Sequence, residues 1–209
     1  ARLAGELAAL REDEDAGVAH AGPIDPRQVM AALDRHVDAD TIVVADASFS
    51  TLWVTGCLRA RRAGQRFLTP RGLAGLGWGF PMALGAKAAA PDRRVICVSG
   101  DGGFGHVWAE LETAVRERLD VVHVVLNNSI LGFQKHSELH QFGEHTSAIR
   151  FSEVDHTLVA EAVGMRAYRV DRLDKLEATI DEAMAGTGPA LVEVLVDPES
   201  KPPITAWEA

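Results

Sequence analysis

Nearly continuous apolar runs, rich in β-branched residues, constrain the fold of this chain most strongly. They read TIVVA, VICVS, VVHVVL and ALVEVLV, at positions 41–45, 95–99, 121–126 and 190–196. Strands with one solvated face alternate apolar and polar residues, whereas strands buried on both faces are apolar throughout. Segments with helical periodicity separate these runs. The pattern predicts an α/β fold, with a doubly wound, mostly parallel sheet and helices on both faces.

The remaining elements are weaker but follow the same alternation. Short strands are predicted at 66–69 and 166–170, and helices from Pro26 onward and at 49–58, 77–90, 104–117, 155–163 and 173–185. In doubly wound sheets ligands bind beyond the carboxyl ends of the strands. Functional residues are therefore expected at 46–50, 100–105 and 127–132.

Charge and cysteine content restrict the partners and the compartment. The 209 residues carry a net charge of −9, which argues against nucleic acid and anionic membrane surfaces as partners. The sequence contains no apolar run of about 18 residues, so no membrane span is predicted. Cys57 and Cys97 show no metal-ligand spacing and no disulfide framework, which favours the cytoplasm, and Cys97 is predicted to be buried. An anion bound to this acidic chain would need a metal or backbone N–H groups.

The segment Gly100-Asp101-Gly102-Gly103-Phe104-Gly105 follows a predicted strand and matches the dinucleotide pattern G-x-G-x-x-G. Asp101, however, places a carboxylate where a pyrophosphate would lie. The next strand ends in Asn127-Asn128 rather than in the acid that holds a ribose. A metal-bridged diphosphate fits better, because Mg²⁺ takes oxygen ligands such as Asp101, Asn128 and a nearby backbone carbonyl together with phosphate oxygens. The glycine N–H groups and a helix starting at Phe104 would favour the anion.

The stretch GDG, then 24 residues, then NN resembles the signature of thiamine-diphosphate enzymes. The resemblance is closest to acetolactate synthases and related 2-oxo-acid decarboxylases and carboligases. It runs from about residue 24 to residue 203 and covers only the C-terminal, diphosphate-binding domain. It implies thiamine diphosphate and Mg²⁺ as cofactors, with Asp101, Asn128 and the backbone oxygen of Ile130 as metal ligands.

Two further segments look like this family. Leu76, after Gly75, stands where a bulky apolar residue wedges between the two cofactor rings and enforces a bent conformation; a plain core leucine is the alternative. Ser48, Phe49 and Ser50 stand in the loop that meets the terminal phosphate, although Ser48 could instead only cap the helix at Phe49. The resemblance also implies cofactor contacts from Gly100, Gly102, Gly103, Ile130, Leu131, Gly132 and Phe133.

Segment 130–145 is expected to close over the site, and it departs from the family. Ser137 stands where acetolactate synthases carry a tryptophan, and Phe133 and Gln134 stand where Met and Val are usual. The classical synthase specificity is therefore in doubt. Lys135, His136, His140 and His145 are candidates to orient a carboxylate or move a proton; a polar surface is the alternative for each.

The resemblance implies that part of the active site lies elsewhere. The family's activating glutamate belongs to a pyrimidine-binding domain, on the same or another chain, and nothing in these residues matches it. No catalytic residue is therefore assigned, and the chain alone is expected to be inactive. Residues 1–23 are interpreted as a connector from a preceding domain and 204–209 as a tail. A middle domain could carry FAD, and a homodimer or homotetramer acting on a 2-oxo acid is expected.

Three alternatives stay open on the sequence. The first is a simple 2-oxo-acid or acyl-CoA decarboxylase subunit of a split enzyme. The second is a binding or regulatory module that kept the fold and lost the chemistry, against which the presence of both Asp101 and Asn128 argues. The third is a nicotinamide-binding oxidoreductase domain. It is disfavoured because no Asp or Glu follows the predicted strand at 121–126 to hold a ribose.

Overall fold

The computed structural model describes residues 23–202, so nearly all of the predicted connector and the whole predicted tail lie outside the described residues. The described part forms a six-stranded sheet in the order β2-β1-β3-β4-β6-β5. Every neighbouring pair is parallel. The predicted α/β fold with a parallel, doubly wound sheet is confirmed.

The elements agree closely with the apolar runs and the helical segments. The strands are β1 (Ile42–Ala45), β2 (Phe67–Leu68), β3 (Val95–Gly100), β4 (Val121–Asn127), β5 (Arg166–Val170) and β6 (Ala190–Leu195). The helices are α1 (Pro26–Asp34), α2 (Phe49–Cys57), α3 (Gly79–Ala89), α4 (Asp101–Gly105), α5 (Glu110–Arg116), α6 (Gly132–Phe142), α7 (His156–Ala162) and α8 (Leu173–Ala185). A 3₁₀ turn spans Ser147–Ile149.

Helices cover both faces of the sheet, which explains why the strands are apolar throughout. Successive side chains of a strand point to opposite faces. Val43 and Ala45 of β1 accordingly join a core cluster with α1, α2 and α8, whereas Ile42 and Val44 join a second cluster with α3, α5 and α7. Cys97 belongs to this second cluster and is fully buried, as predicted.

The direction of winding reverses between β1 and β3. From β1 the chain crosses to β2 on one side, and from β3 it continues to β4 on the other. In open parallel sheets the crevice beyond the strand ends at such a reversal is where ligands bind. The residues that follow β1 and β3 therefore border the expected binding crevice.

Two predicted helices differ in their limits. The helix predicted at 104–117 is two helices, because α4 starts directly after β3 and its three glycines support only a short helix before α5. The helix predicted from residue 77 starts at Gly79, because Gly77 has φ +88° and cannot be helical. Among residues 23–202, no helix has the length and apolar character needed to cross a membrane.

Candidate cofactor-binding site

A pocket opens beyond the carboxyl ends of β1, β3, β4 and β6, at the reversal of the sheet. It is lined by Pro26, Ala47, Ser48, Phe49, Ser50, Trp53, Leu76, Gly100, Asp101, Gly102, Gly103, Leu126, Asn128, Ile130, Leu131, Gly132, Val196, Asp197 and Ser200. Every residue for which the resemblance implied a cofactor contact lines it, except Gly75 and Phe133. The lining from Pro26, Trp53, Leu126, Val196, Asp197 and Ser200 was not predicted. Asp197 lies two residues after the end of β6. Because ligands bind beyond the carboxyl ends of parallel strands, its position was a signal in the sequence.

Gly75 and Phe133 lie outside this pocket for local reasons. A Cβ at Gly75 would lie 3.1 Å from Trp78 Nε1, so this glycine packs against the Trp78 indole. Phe133 is 41% exposed on α6, and its ring meets the Phe49 ring edge-on with centroids 5.8 Å apart. Leu76 is half-buried, lines the pocket and belongs to neither core cluster, which contradicts the interpretation as a plain core leucine.

Asp101 places a buried carboxylate in the pocket wall. It is the first residue of α4 and is only 6% exposed. Burial raises the pKa of Asp101 to about 6, although the nearby His156 and the N–H groups of Gly102 and Asn128 lower it. Burial without a counter-charge disfavours the ionised form. A divalent cation beside Asp101 would supply that charge, so this carboxylate is suited to metal binding.

The turn after β4 brings two further residues, Asn128 and Ile130, to the pocket. Ser129 adopts a left-handed backbone with φ +54°, and the Ile130 N–H donates to Asn128 Oδ1 at 3.3 Å. The turn is anchored to the opposite segment, because the Leu131 N–H donates to Ile149 O and the Phe151 N–H donates to Ser129 O, both at 2.9 Å. An amide oxygen has two lone pairs, so Asn128 keeps one acceptor site beyond this turn.

The serine loop after β1 is strained where it meets the pocket. Ser48 has φ 71° and ψ −145°. For any residue other than glycine, this backbone conformation has a free-energy cost of about 1–3 kcal/mol. Its side chain makes no capping hydrogen bond to α2, so the interpretation as a simple N-cap is wrong. Ser50 is buried, and its Oγ lies 3.8 Å from where a Cβ at Gly100 would be. Both serines therefore line the same pocket as the glycine loop, from the carboxyl end of the neighbouring strand β1.

Asp46 is a structural residue of the site that the sequence analysis did not single out. It is 1% exposed, and its carboxylate accepts the N–H of Gly77 at 2.9 Å and that of Gly79 at 3.0 Å. A Cβ at Gly103 would overlap Asp46 Oδ2. Asp46 thus ties the segment that carries Leu76 to the end of β1 and packs directly against the glycine loop. Its position immediately after β1 was the available signal.

Most of segment 130–145 forms α6 (Gly132–Phe142), in which two of the candidate polar residues are buried. Lys135 and His136 are each 5% exposed, so the surface interpretation is wrong for both. Lys135 forms an ion pair with Glu199 and donates to Pro198 O at 3.3 Å. His136 stacks on the Phe49 ring with centroids 5.6 Å apart. Lys135 therefore attaches α6 to the segment after β6. His140, which lies on the same helix, is exposed.

The donor set fits a magnesium ion shared with a diphosphate. Within residues 23–202, no group of three or more His, Cys, Asp and Glu side chains is placed to hold a metal alone. The pocket is instead lined by Asp101, Asn128 and Ile130, which carry a carboxylate, an amide oxygen and a backbone carbonyl. Mg²⁺ commonly binds through few protein oxygens, with substrate phosphates and water completing the octahedron.

Comparison with known proteins agrees with this fold and pocket. Residues 46–194 match the family model described as "Thiamine pyrophosphate enzyme, C-terminal TPP binding domain". Since the match covers more than half of the chain, this chain belongs to that family of cofactor-binding domains. The dinucleotide interpretation of the glycine loop is thereby not supported.

Similar proteins narrow the class to the acetolactate-synthase-like members of the family. The chain is 32% identical to the acetolactate synthase of Bacillus subtilis (strain 168) over 172 residues, which are 82% of this chain and 30% of the relative. It is 31% identical to the catabolic acetolactate synthase of Raoultella terrigena over 179 residues, 86% of this chain and 32% of that protein. It is 32% identical to the acetolactate synthase isozyme 2 large subunit of Escherichia coli (strain K12) over 160 residues, which are 76% of this chain and 29% of that protein. The chain thus spans about a third of the length of these relatives.

Proposed function

We propose that this domain holds the diphosphate and magnesium half of a thiamine-diphosphate site in an enzyme that acts on 2-oxo acids. The observation that carries the proposal is the pocket in which buried Asp101 and the Asn128 turn face each other across the ends of β3 and β4. Family membership and the acetolactate synthases among the relatives support the cofactor and the substrate class. The domain is proposed to span residues 24–203.

Each residue has a defined task in this proposal. Asp101, the Asn128 amide oxygen and the Ile130 carbonyl would bind Mg²⁺. Ser48, Phe49, Ser50, Gly100, Gly102, Gly103, Leu131 and Gly132 would surround the diphosphate, since the glycines let backbone N–H groups approach it. Leu76 would support the bent cofactor. Gly75 and Phe133 would act only through their neighbours Trp78 and Phe49.

When bound, thiamine diphosphate supplies a carbanion that adds to a 2-oxo-acid carbonyl and an electron sink for the decarboxylation that follows. The residues of this chain bind and orient, and they exclude water through Leu76, Phe49 and Trp53. We assign no acid or base here to the cofactor's activation. A glutamate from a pyrimidine-binding domain, on this or another polypeptide, is proposed for that role, so this chain alone would be inactive.

The remaining proposals concern the assembly. Large apolar side chains are exposed on the segments that carry the pocket residues Leu76 and Gly132, among them Leu73 at 98%, Trp78 at 65% and Phe142 at 67%. An exposed apolar surface of this kind favours an interface. We place the pyrimidine-binding domain of a homodimer or homotetramer there. We further propose FAD on a middle domain and a cytoplasmic location, in which Cys57 and Cys97 stay reduced. Decarboxylation alone and carboligation both fit the proposed site.

Calorimetric titration of thiamine diphosphate tests the proposal. Binding is expected with Mg²⁺ and not with EDTA, and Asp101→Ala should weaken it at least tenfold. Asp92→Ala changes an exposed aspartate outside the pocket and should leave the affinity unchanged. Binding that ignores EDTA and Asp101→Ala would contradict the proposal. Absence of binding when the pyrimidine-binding domain is also present would contradict it as well.

A further inference from the structure

Glu193 is a fully buried carboxylate in the middle of β6, and the proposed function does not use it. Ionisable side chains are almost never fully buried unless they are paired. Glu193 faces Val125 of β4 in the strand register, and Asn127 lies two residues further along β4. Residues two apart on a strand share a face. The Glu193 side chain can therefore reach Asn127, which directly precedes the proposed metal ligand Asn128.

The groups that contact Glu193 are all able to donate a hydrogen bond to it. Its Oε1 accepts from Asn127 Nδ2 at 2.6 Å and lies 2.7 Å from His156 Nδ1, and its Oε2 accepts from Arg169 Nη1 at 3.0 Å. A carboxylate can accept on both oxygens, whereas a glutamine would turn an N–H₂ group toward one of these donors. The site therefore requires the carboxylate rather than only its shape.

Asn127 passes this constraint to the turn. Its Nδ2 is held by Glu193, and its Oδ1 accepts from the Ser129 N–H at 3.1 Å and from Ser129 Oγ at 3.3 Å. Ser129 is the residue in the left-handed conformation. This conformation is unfavourable for any residue other than glycine, and it persists only where the surrounding structure holds it. The oriented amide of Asn127 is such a support. The same turn contributes Asn128 and Ile130 to the lining of the pocket.

We propose that Glu193 is a positioning residue for the metal-binding turn, acting through Asn127 from behind the pocket. The metal part of this inference rests on the proposed function. Residues that orient metal ligands commonly change metal affinity by 10–100-fold when they are replaced. Glu193 would thus contribute to magnesium and diphosphate binding without touching either.

Glu193→Gln and Asn127→Ala test the inference, with Arg169→Gln as the matched control. Arg169 contacts the other oxygen of Glu193 and also pairs with Asp155, but it does not touch the turn. Glu193→Gln and Asn127→Ala should each weaken Mg²⁺-dependent thiamine diphosphate binding about tenfold or more. The double variant should be no weaker than Asn127→Ala alone. Arg169→Gln should lower thermal stability with unchanged affinity.

Amide hydrogen exchange of the metal-free protein separates this inference from the proposed function. Glu193→Gln should speed the exchange of the Leu131 and Phe151 amides, which anchor the turn, and Arg169→Gln should not. Faster exchange without any Mg²⁺-dependent binding by the wild type would support the positioning role and overturn the metal site. Unchanged exchange and unchanged affinity in folded Glu193→Gln would overturn the inference. Wild-type affinity in folded Asn127→Ala would overturn it equally.

Discussion

Asp46 and Gly79 are in direct contact through both main chain and side chain. The Gly79 N–H donates to Asp46 Oδ1 at 3.0 Å, and a Cβ at Gly79 would lie 2.7 Å from the Asp46 Cβ. A buried carboxylate left without its donors costs about 1–3 kcal/mol or more. This contact therefore fixes the start of α3, and with it Leu76, against the end of β1.

Gly79→Ala should destabilise the protein, because the added methyl must displace the Asp46 backbone. Overpacking of this kind typically costs about 1–3 kcal/mol. Gly85→Ala is the matched control on the same helix, where a Cβ would meet nothing within 4 Å. That variant should be more stable than the wild type by roughly 0.5–1 kcal/mol, because Ala has the higher helix propensity. Urea denaturation measures both, and equal effects of the two variants would refute the role given to the Asp46 contact.

Leu76→Ala should weaken thiamine diphosphate binding about tenfold, because it removes apolar surface that would be buried against the cofactor. Leu158→Ala is the control, since Leu158 is 62% exposed and does not line the pocket. Calorimetry of both variants with Mg²⁺ gives the comparison. If both lose affinity equally, Leu76 has no specific contact with the cofactor.

His123 should make the protein less stable in acid. Burial, followed by the charge of His156, lowers the pKa of His123 from 6.5 to about 3. The unfolded chain thus takes up a proton below pH 6.5 that the folded protein refuses until about pH 3. The stabilising contribution of neutral His123 is therefore complete above pH 6.5 and is lost as the pH falls. The loss in the free energy of unfolding amounts to roughly 2 kcal/mol by pH 5.

The paired variant Ser99→Ala with His123→Leu isolates this contribution. Ser99 Oγ lies 2.7 Å from His123 Nε2, so replacing both residues leaves neither polar group alone. The free energy of unfolding of the variant, measured from pH 7.5 to 5, should fall less steeply than that of the wild type. Parallel curves for the two proteins would show that His123 is not held neutral.

Trp78→Ser and Phe142→Glu should weaken self-association if these exposed apolar side chains belong to an interface. Light scattering should show a lower mass for each variant at a concentration where the wild type is oligomeric. Leu158→Glu on α7 is the control, because this leucine is also exposed, at 62%, but lies on a helix that packs on β5 and β6. A monomeric wild type, or an unchanged mass in both variants, would refute the interface for this chain.

Local pattern was sufficient for much of this protein. The run at 121–126 is apolar almost throughout and rich in valine, which is typical of a strand buried on both faces, and it forms β4. Helix α8 has the predicted limits of residues 173–185. The rule that ligands bind beyond parallel strand ends placed Asp101 and Asn128 together before any coordinates, because this proximity follows from sheet geometry alone.

Other features depend on contacts between segments far apart in sequence. The pairing of Asn127 with Glu193 spans 66 positions, and that of Gly79 with Asp46 spans 33. Neither has a local signal, since the partners meet only when β6 pairs with β4 and when α3 packs at the end of β1. Lys135 likewise carries no local signal of burial, and only the tertiary structure brings Glu199 beside it. The sequence by itself determined which strand ends carry the site, whereas tertiary packing decided which buried groups hold those ends in place.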